Sequence, residues 1–279
     1  MGDFRRFKRT FDPNSKDSFR VSRSKIDLFT ECPRCFYLDL RLGIKRPDFP
    51  SFTLNSAVDH LLKKEFDIYR ADSTAHPLMK TYGIDAVPYT HPDMEKWRHN
   101  FTGVEHFHKK TGLTVFGAVD DIWKDNKTGQ LYVVDYKSTS INGDVTLDGE
   151  WKVAYKRQVE IYQWLLRSNG FDVSDTAYFV YANGRKDVKA FDGKLEFSIC
   201  VLPYHGDSRW VGKTLEEMIK TLRSGAIPKA PAVCKYCDYR LAAAKASMAE
   251  KANDSKKEPV KKSRISRDGE ISKDAKTLF

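Results

Sequence analysis

Two cysteine motifs near opposite ends of the apolar region place the strongest constraint on how this 279-residue chain can fold. They are Cys32-Pro-Arg-Cys35 and Cys234-Lys-Tyr-Cys237, and about 200 residues separate them. The two-residue gap in each motif lets both thiolates bind one metal ion or cluster. We therefore predict one shared four-cysteine site that excludes Cys200 and joins the first helices to the C-terminal end of the domain. The alternative is four unrelated buried thiols.

The composition is that of a globular protein without a membrane span. Hydrophobic residues make up 41% of the chain, which supports a packed core and excludes global disorder. No stretch approaches the roughly 20 apolar residues of a transmembrane helix, and the first residues lack the apolar core of a secretory signal. We therefore expect a cytoplasmic protein, where disulfides are rare.

Most of the net charge of +10 lies near the two ends of the chain. We predict a basic N-terminal tail over residues 1–20, a folded domain over 21–242 and a disordered, charged tail over 243–279. Basic tails of this kind bind polyanions without sequence selectivity. The alternative is a pair of solvated ends without a binding role.

The spacing of apolar residues predicts strands that bracket a helix, with further helices before and after them. Such an order indicates an α/β fold built on a mixed sheet. The main predicted helices span 54–69, 94–110, 151–168 and 212–223, and the predicted strands span 113–123, 131–137, 177–181 and 195–201.

Asp120, Asp135 and Lys137 are the strongest candidates for a catalytic site. A turn over residues 125–129 predicts a hairpin between the strands on either side of it, which brings Asp120 towards Asp135 and Lys137. Two converging carboxylates form a hard oxygen site for Mg²⁺ or Mn²⁺. A lysine beside such an ion can orient or deprotonate a water directed at phosphorus. The alternative, a surface salt bridge, is disfavoured because apolar residues precede Asp135.

A helical pair and these residues together resemble a known family. Gln158 and Tyr162 are four residues apart, so they share one face of the predicted helix. The chain resembles the PD-(D/E)XK nuclease superfamily, most closely its RecB-like branch of CRISPR-adaptation and AddB-type nucleases, over about residues 22–240. Three motifs in order carry the resemblance: Gly117-x-x-Asp120, Asp135-x-Lys137 and Gln158-x-x-x-Tyr162. It implies a restriction-endonuclease-like mixed β-sheet flanked by helices.

The resemblance also implies roles for the site residues. The metal ligands would be the carboxylates of Asp120 and Asp135 and the main-chain carbonyl of Tyr136. Lys137 would position the nucleophilic water, and the helical pair would orient this lysine and the DNA backbone.

A further metal ligand is implied in an early helix. Nucleases of this branch often carry a histidine there, in a Gly-x-x-x-His setting. Here His60 takes that place, although Ser56 stands where the glycine would be. Asp59 is the alternative ligand from the same helix.

The identity of the cysteine-bound group also follows from the resemblance. RecB-like nucleases with iron–sulfur clusters bracket the nuclease core with cysteines, which favours a [4Fe–4S] cluster on the four cysteines of the two motifs. That family has one early and three late cysteines, whereas this chain has two and two, so Zn²⁺ stays as the alternative; soft thiolates suit both. Four protein ligands leave no open position, which indicates a structural role.

Three function classes are compatible with these features. A non-catalytic nucleic-acid-binding protein with the same fold has no need for Asp120, Asp135 and Lys137 together. A zinc-stapled protein-interaction domain explains the cysteines but not the hairpin. We therefore predict a metal-dependent deoxyribonuclease in DNA repair, recombination or defence. Its partners would be DNA of unspecified strandedness and proteins of a repair or defence complex, without a membrane.

Overall fold

Two β-sheets form the centre of the structure, a computed structural model that describes residues 10–48, 50 and 52–256, with side chains to residue 251. Their strands are β1 (Phe19–Ser22), β2 (Ala86–Pro88), β3 (Val104–His108), β4 (Leu113–Gly117), β5 (Asp121–Asp125), β6 (Leu131–Thr139), β7 (Val173–Gly184) and β8 (Phe197–His205). One sheet has the order β1-β4-β3 and the other β2-β5-β6-β7-β8. In the larger sheet β6 and β7 are parallel and the other neighbours are antiparallel, which confirms the predicted mixed sheet.

Helices α3 (Thr53–Ala71) and α6 (Val153–Ser168) pack on opposite faces of the larger sheet. The other helices of this part of the chain are α1 (Arg23–Glu31), α2 (Pro33–Leu42), α4 (Pro77–Thr81), α5 (Met94–Arg98) and α7 (Trp210–Arg223). Alternation along β6 sends Val133 and Val134 to opposite faces. Val134 packs in one core cluster with Phe66 of α3, and Val133 packs in the other with Ile161 of α6. Asp135, two residues after Val133, therefore lies on the α6 face.

Several local predictions are confirmed. Helix α6 covers the predicted span after a single 3₁₀ turn over Glu150–Lys152. The sequence also indicates a helix end near Gly43, and α2 ends at Leu42 with Gly43 as its C-cap, at a φ of 68° that glycine adopts readily. The predicted turn between β5 and β6 forms, because the Asp125 side chain accepts hydrogen bonds from the amides of Lys127 and Thr128.

The single strand predicted over 113–123 is wrong. The structure divides it into β4 and β5, which belong to different sheets, and residues 118–120 form the link between them. In this link the Val119 amide donates to the Trp97 carbonyl rather than to a strand. Because Val119 is itself buried, the apolar pattern continues through the break and hides it. Asp120 therefore precedes the hairpin instead of lying on its first strand.

The helix predicted over 94–110 is also wrong. Helix α5 ends at Arg98, and the chain enters β3 at Val104. The amides of Thr102 and Gly103 both donate to the His99 carbonyl, and Gly103 has a φ of 63°. This tight turn reverses the chain, so the residues after it alternate as a strand.

The chain divides after Cys234 into two units. The second unit contains α8 (Lys235–Lys256), so residues 243–256 of the predicted disordered tail are helical in the structure. Residues 1–9 and 257–279 of the two predicted tails lie outside the described residues. None of the helices in the described part of the chain has an apolar stretch of the length that a bilayer crossing requires.

Candidate metal-dependent active site

Asp135 and Lys137 lie side by side on β6, facing α6. Asp135 is fully buried, whereas the Lys137 side chain is 15% exposed. Lys137 Nζ forms an ion pair with Asp135 Oδ2, an oxygen that accepts no hydrogen bond from the described residues. From α6, Gln158 Nε2 donates to Asp135 Oδ1 over 2.8 Å and to the Tyr162 hydroxyl over 3.1 Å. The structure thus brings four of the predicted site residues together.

Asp120 joins this group from the link between β4 and β5. Its Oδ2 accepts a hydrogen bond of 3.0 Å from the backbone amide of Tyr136, and its Oδ1 lies 3.2 Å from Lys63 Nζ. Tyr136 directly follows Asp135 in the chain, so the two carboxylates flank the same stretch of backbone. The Asp120 side chain is 20% exposed and is the more accessible carboxylate of the two.

Burial and neighbouring charges shift the two carboxyl groups in opposite directions. Burial raises the pKa of Asp135 to about 7, and the charge of Asp120 adds to this rise while the Lys137 ammonium opposes it. Burial also acts on Asp120, but the ammonium groups of Lys63 and Lys137 and the Tyr136 amide hold its pKa below the ordinary value. The negative charges of Asp120 and Asp135 repel each other, so an added positive charge would stabilise the ionised form of both.

Helix α3 contributes Asp59 and Lys63 to this region. Lys63 Nζ contacts Asp59 at 2.7 Å as well as Asp120, and so links the two carboxylates. Burial raises the pKa of Asp59, and the charge of Asp120 raises it further. The side chain of His60 is exposed, and the described residues show no hydrogen bond or ion pair between it and Asp120.

Two largely buried arginines hold the link that carries Asp120, and the sequence analysis did not identify them. Arg98 donates through Nε to the Asp120 carbonyl over 3.1 Å and through Nη2 to Asp121 Oδ1 over 3.0 Å. Its Nη1 donates to both carboxylate oxygens of Asp67, over 2.9 and 2.8 Å. Arg70 contacts the same two carboxylates, those of Asp67 and Asp121. The two arginines and the two aspartates of this network balance each other in charge.

Asp121 connects this arginine network to β6. Its Oδ2 accepts a hydrogen bond of 2.7 Å from the Tyr136 hydroxyl, and its Oδ1 accepts one of 2.8 Å from the Ile122 amide. Tyr136 is thereby fixed at its side chain by Asp121 and at its amide by Asp120. The sequence signal for this arrangement was the pair Asp120-Asp121, which lies within an apolar run. The arginines gave no such signal, because arginines on amphipathic helices are ordinarily exposed to solvent.

A cavity of about 250 Å³ opens beside Asp120. Arg23, Gly117, Gln158 and Tyr162 contribute to its lining. The Arg23 guanidinium lies close enough to Tyr162 and Asp135 to interact with both electrostatically. Gly117 leaves no room for a side chain, because a Cβ at this position would lie 2.7 Å from Tyr162 Cε1. The cavity thus opens onto Asp120 beside the positively charged Arg23.

The four predicted cysteines form one buried cluster, with all Sγ atoms within 4.8 Å of one another. Cys32 lies between α1 and α2, and its Sγ accepts a hydrogen bond of 3.3 Å from the Cys35 amide. Cys35 Sγ lies 3.7 Å from Cys234 Sγ. Cys237 completes the cluster, and Cys200 on β8 is not part of it. The predicted grouping of the cysteines is confirmed.

Comparison with known proteins gives a family and several similar solved structures. A model of the PD-(D/E)XK nuclease superfamily matches residues 78–242, which is more than half of the chain and includes the carboxylates, the lysine and the helical pair. A search of curated proteins found no match. Among solved structures, the crystal structure of SSO0001 resembles the chain with a TM-score of 0.39 and 15% sequence identity, covering 82% of this chain and 87% of that one.

Proposed function

Since the chain belongs to the PD-(D/E)XK nuclease superfamily, we propose that it is a metal-dependent nuclease that hydrolyses DNA phosphodiester bonds. The observation that carries this proposal is the junction of Asp120 with the backbone beside Asp135, through the 3.0 Å bond from the Tyr136 amide. This bond holds the Asp120 carboxylate next to the backbone between Asp135 and Lys137. These three residues are the ones that the family motifs supply.

The carboxylates of Asp120 and Asp135 and the carbonyl of Tyr136 would hold Mg²⁺ or Mn²⁺. Oxygen donors are the ligands that these hard cations prefer. The donor set fits such a role, because the buried Asp135 carboxylate already attracts the Lys137 ammonium and the neighbouring charge of Asp120 favours a further cation. When bound, the cation lowers the pKa of a water and neutralises charge on the phosphate.

Lys137 would orient the attacking water and stabilise the negative charge that develops on the phosphate. Its ammonium is held from two sides, by the Asp135 carboxylate and by the Tyr155 ring, whose centroid lies 4.8 Å from Nζ. Gln158 donates to Asp135 Oδ1, while Lys137 pairs with the other carboxylate oxygen. Tyr162, bonded to Gln158, would face the DNA backbone from the cavity wall.

We propose that the additional metal ligand from α3 is the carboxylate of Asp59 rather than His60. Asp59 is tied to Asp120 through Lys63, whereas His60 is exposed to solvent. A metal cation that displaced the Lys63 ammonium would be in reach of both carboxylates, those of Asp59 and Asp120.

For the cysteine cluster, we propose a single Zn²⁺ rather than a [4Fe–4S] cluster. A tetrahedral ion with Zn–S bonds of about 2.3 Å places its thiolate sulfurs about 3.8 Å apart. The separation of Cys35 Sγ and Cys234 Sγ is 3.7 Å, and the widest separation in the cluster stays within 4.8 Å. A [4Fe–4S] cluster binds one thiolate at each of four irons, so its thiolates spread wider than they do around one ion.

The nuclease proposal is tested by digestion of end-labelled single-stranded and duplex DNA with Mg²⁺, with Mn²⁺ and with neither. We expect cleavage only with a divalent cation, and its loss in an Asp135→Asn variant that keeps its circular dichroism spectrum. Protein that leaves both substrates intact with either cation would refute the proposal.

A further inference from the structure

The polar stripe of α6 continues beyond the carboxylates as an aromatic stripe. Tyr155, Gln158 and Tyr162 lie on one face of α6, at spacings of three and four residues, and Trp151 precedes them in the 3₁₀ turn that leads into this helix. Gln158 and Tyr162 lie at the carboxylates. The rings of Trp151 and Tyr155 meet edge to face, with centroids 5.6 Å apart. The stripe therefore leads from the proposed metal site outwards past Lys137.

Trp151 is exposed in a way that core packing does not explain. Its side chain is 58% exposed, whereas Trp97 and Trp123 are buried at 6% and 0%. Large aromatic side chains are ordinarily used for core packing. An exposed indole beside a proposed active site is therefore a candidate for ligand contact.

Two lysines lie among the rings of this stripe. Lys137 Nζ is 4.8 Å from the Tyr155 centroid, and Lys152 Nζ is 4.9 Å from the Trp151 centroid and 5.5 Å from that of Tyr181. Lys152 is buried at 4% exposed and donates to the Thr146 carbonyl, so it supports the rings from below, whereas Lys137 is 15% exposed beside the carboxylates. An exposed ring next to an ammonium group complements a polymer that has phosphates on one side and flat bases on the other.

We propose that Trp151, supported at its side by the perpendicular ring of Tyr155, is a stacking platform for an unpaired base next to the cleaved phosphate, so that the site takes single-stranded nucleic acid. A base inside a duplex has both faces covered by its neighbours in the stack, and it must leave the stack before it can lie on an indole ring. The proposal rests on the proposed nuclease function for the position of the phosphate.

The test measures binding without cleavage, in an Asp120→Asn background. Fluorescence anisotropy follows a labelled oligothymidylate and a blunt duplex of equal length, and the indole fluorescence reports on Trp151. The variants are Trp151→Ala, Trp151→Phe and the control Phe107→Ala, which removes an exposed ring (49% exposed) on β3 of the smaller sheet.

We expect Trp151→Ala to weaken oligothymidylate binding by about 5- to 100-fold, the range of one base–aromatic stack. Trp151→Phe should retain most of the binding and lose most of the indole quenching, because the remaining tryptophans are more buried. Phe107→Ala should bind like the parent, and duplex binding should be the same in all variants.

The platform is refuted if Trp151→Ala binds the oligothymidylate as tightly as the parent does, or if it loses duplex binding to the same degree. The two proposals fail separately. A protein that shows Trp151-dependent binding but never cleaves DNA retains the platform and loses the nuclease function. A protein that cleaves DNA while binding independently of Trp151 retains the nuclease function alone.

Discussion

Arg98 is a single side chain that sets the position of Asp120 without belonging to the metal ligands. It bonds the Asp120 carbonyl and the carboxylates of Asp67 and Asp121 at the same time. A lysine keeps the charge but has no planar fork with which to span three acceptors. We therefore predict that Arg98→Lys lowers Mn²⁺ affinity or the cleavage rate by about 10- to 100-fold.

The readout for Arg98→Lys is Mn²⁺ binding by calorimetry together with the cleavage rate at saturating DNA. The matched control is Arg209→Lys, at a side chain that is 90% exposed and paired locally with Asp207. Native Mn²⁺ affinity and native rate in Arg98→Lys would show that this network does not position Asp120.

Gly117 is the second single residue on which the site depends. A Cβ there would lie 2.7 Å from the ring of Tyr162, so one of the two must move. We predict that Gly117→Ala lowers the free energy of unfolding by about 1–3 kcal/mol through overpacking, and that it slows cleavage. Gly212→Ala is the control, because no atom lies within 4 Å of its added Cβ. It should be neutral or stabilise α7 by about 1 kcal/mol. Equal stability of both variants would contradict the packing argument.

At this scale, local spacing and the family resemblance together predicted residues that meet, and missed the residues that support them. The two-residue period of β6, the four-residue spacing on α6 and the motifs of the resemblance selected Asp135, Lys137 and Gln158, which the structure brings together. Arg70 and Arg98 lie on separate helices, and only the tertiary fold shows that both meet Asp121. No local rule connects residues that are so far apart in the chain.

The link between β4 and β5 positions the candidate site, because it carries Asp120. A continuous apolar run predicted one strand over 113–123, and the structure places its halves in separate sheets. The run remains apolar because the link itself is buried at Val119. The prediction of a helix over 94–110 was wrong for a different reason. Gly103 indicated a break in the helix, but the prediction followed the spacing of the apolar residues instead. Buried irregular segments escape periodicity, because burial rather than regular structure makes them apolar.

The β5–β6 turn gives a prediction for this element. The Tyr132 hydroxyl donates to Asp125 Oδ2 over 2.6 Å, and the amides of Lys127 and Thr128 donate to Oδ1. These bonds, that of Tyr132 foremost, lower the pKa of Asp125 to about 2. We predict that Asp125→Ala lowers the free energy of unfolding by about 1 kcal/mol at neutral pH.

The pH dependence of this effect has a definite sign. Because the folded-state pKa lies below the ordinary value of 3.8, the stabilisation is complete above that value and is lost as the pH falls towards about 2. Urea unfolding should therefore show the gap between native and Asp125→Ala protein closing over this interval. Asp148→Ala, at an exposed position, is the control. A gap that stays constant with pH would contradict the assignment.

At the scale of the molecule, the cysteine cluster brings together side chains that are about 200 residues apart in the sequence. Its four-cysteine composition was predictable from two motif spacings alone, whereas the separations between sulfurs required the structure. Because metal binding contributes to folding free energy, we predict that Cys32→Ser or Cys35→Ser removes the ion and lowers the melting temperature. Cys200→Ser should retain the ion.

Elemental analysis of protein purified without oxygen should find about one zinc per chain and a colourless solution. Iron, with broad visible absorbance that dithionite bleaches, would restore the [4Fe–4S] interpretation. The absence of both metals would reject the shared site.

The measurement that tests the central claim most directly is Mn²⁺ binding and DNA cleavage on the same preparations of native, Asp135→Asn, Lys137→Ala and Lys124→Ala protein. The account predicts that native and Lys124→Ala protein, the latter changed at an exposed lysine of β5, bind Mn²⁺ and cleave. Asp135→Asn should lose both activities, and Lys137→Ala should bind Mn²⁺ but lose the cleavage rate. Cleavage by Lys137→Ala at the native rate, or native Mn²⁺ affinity in Asp135→Asn, would contradict it.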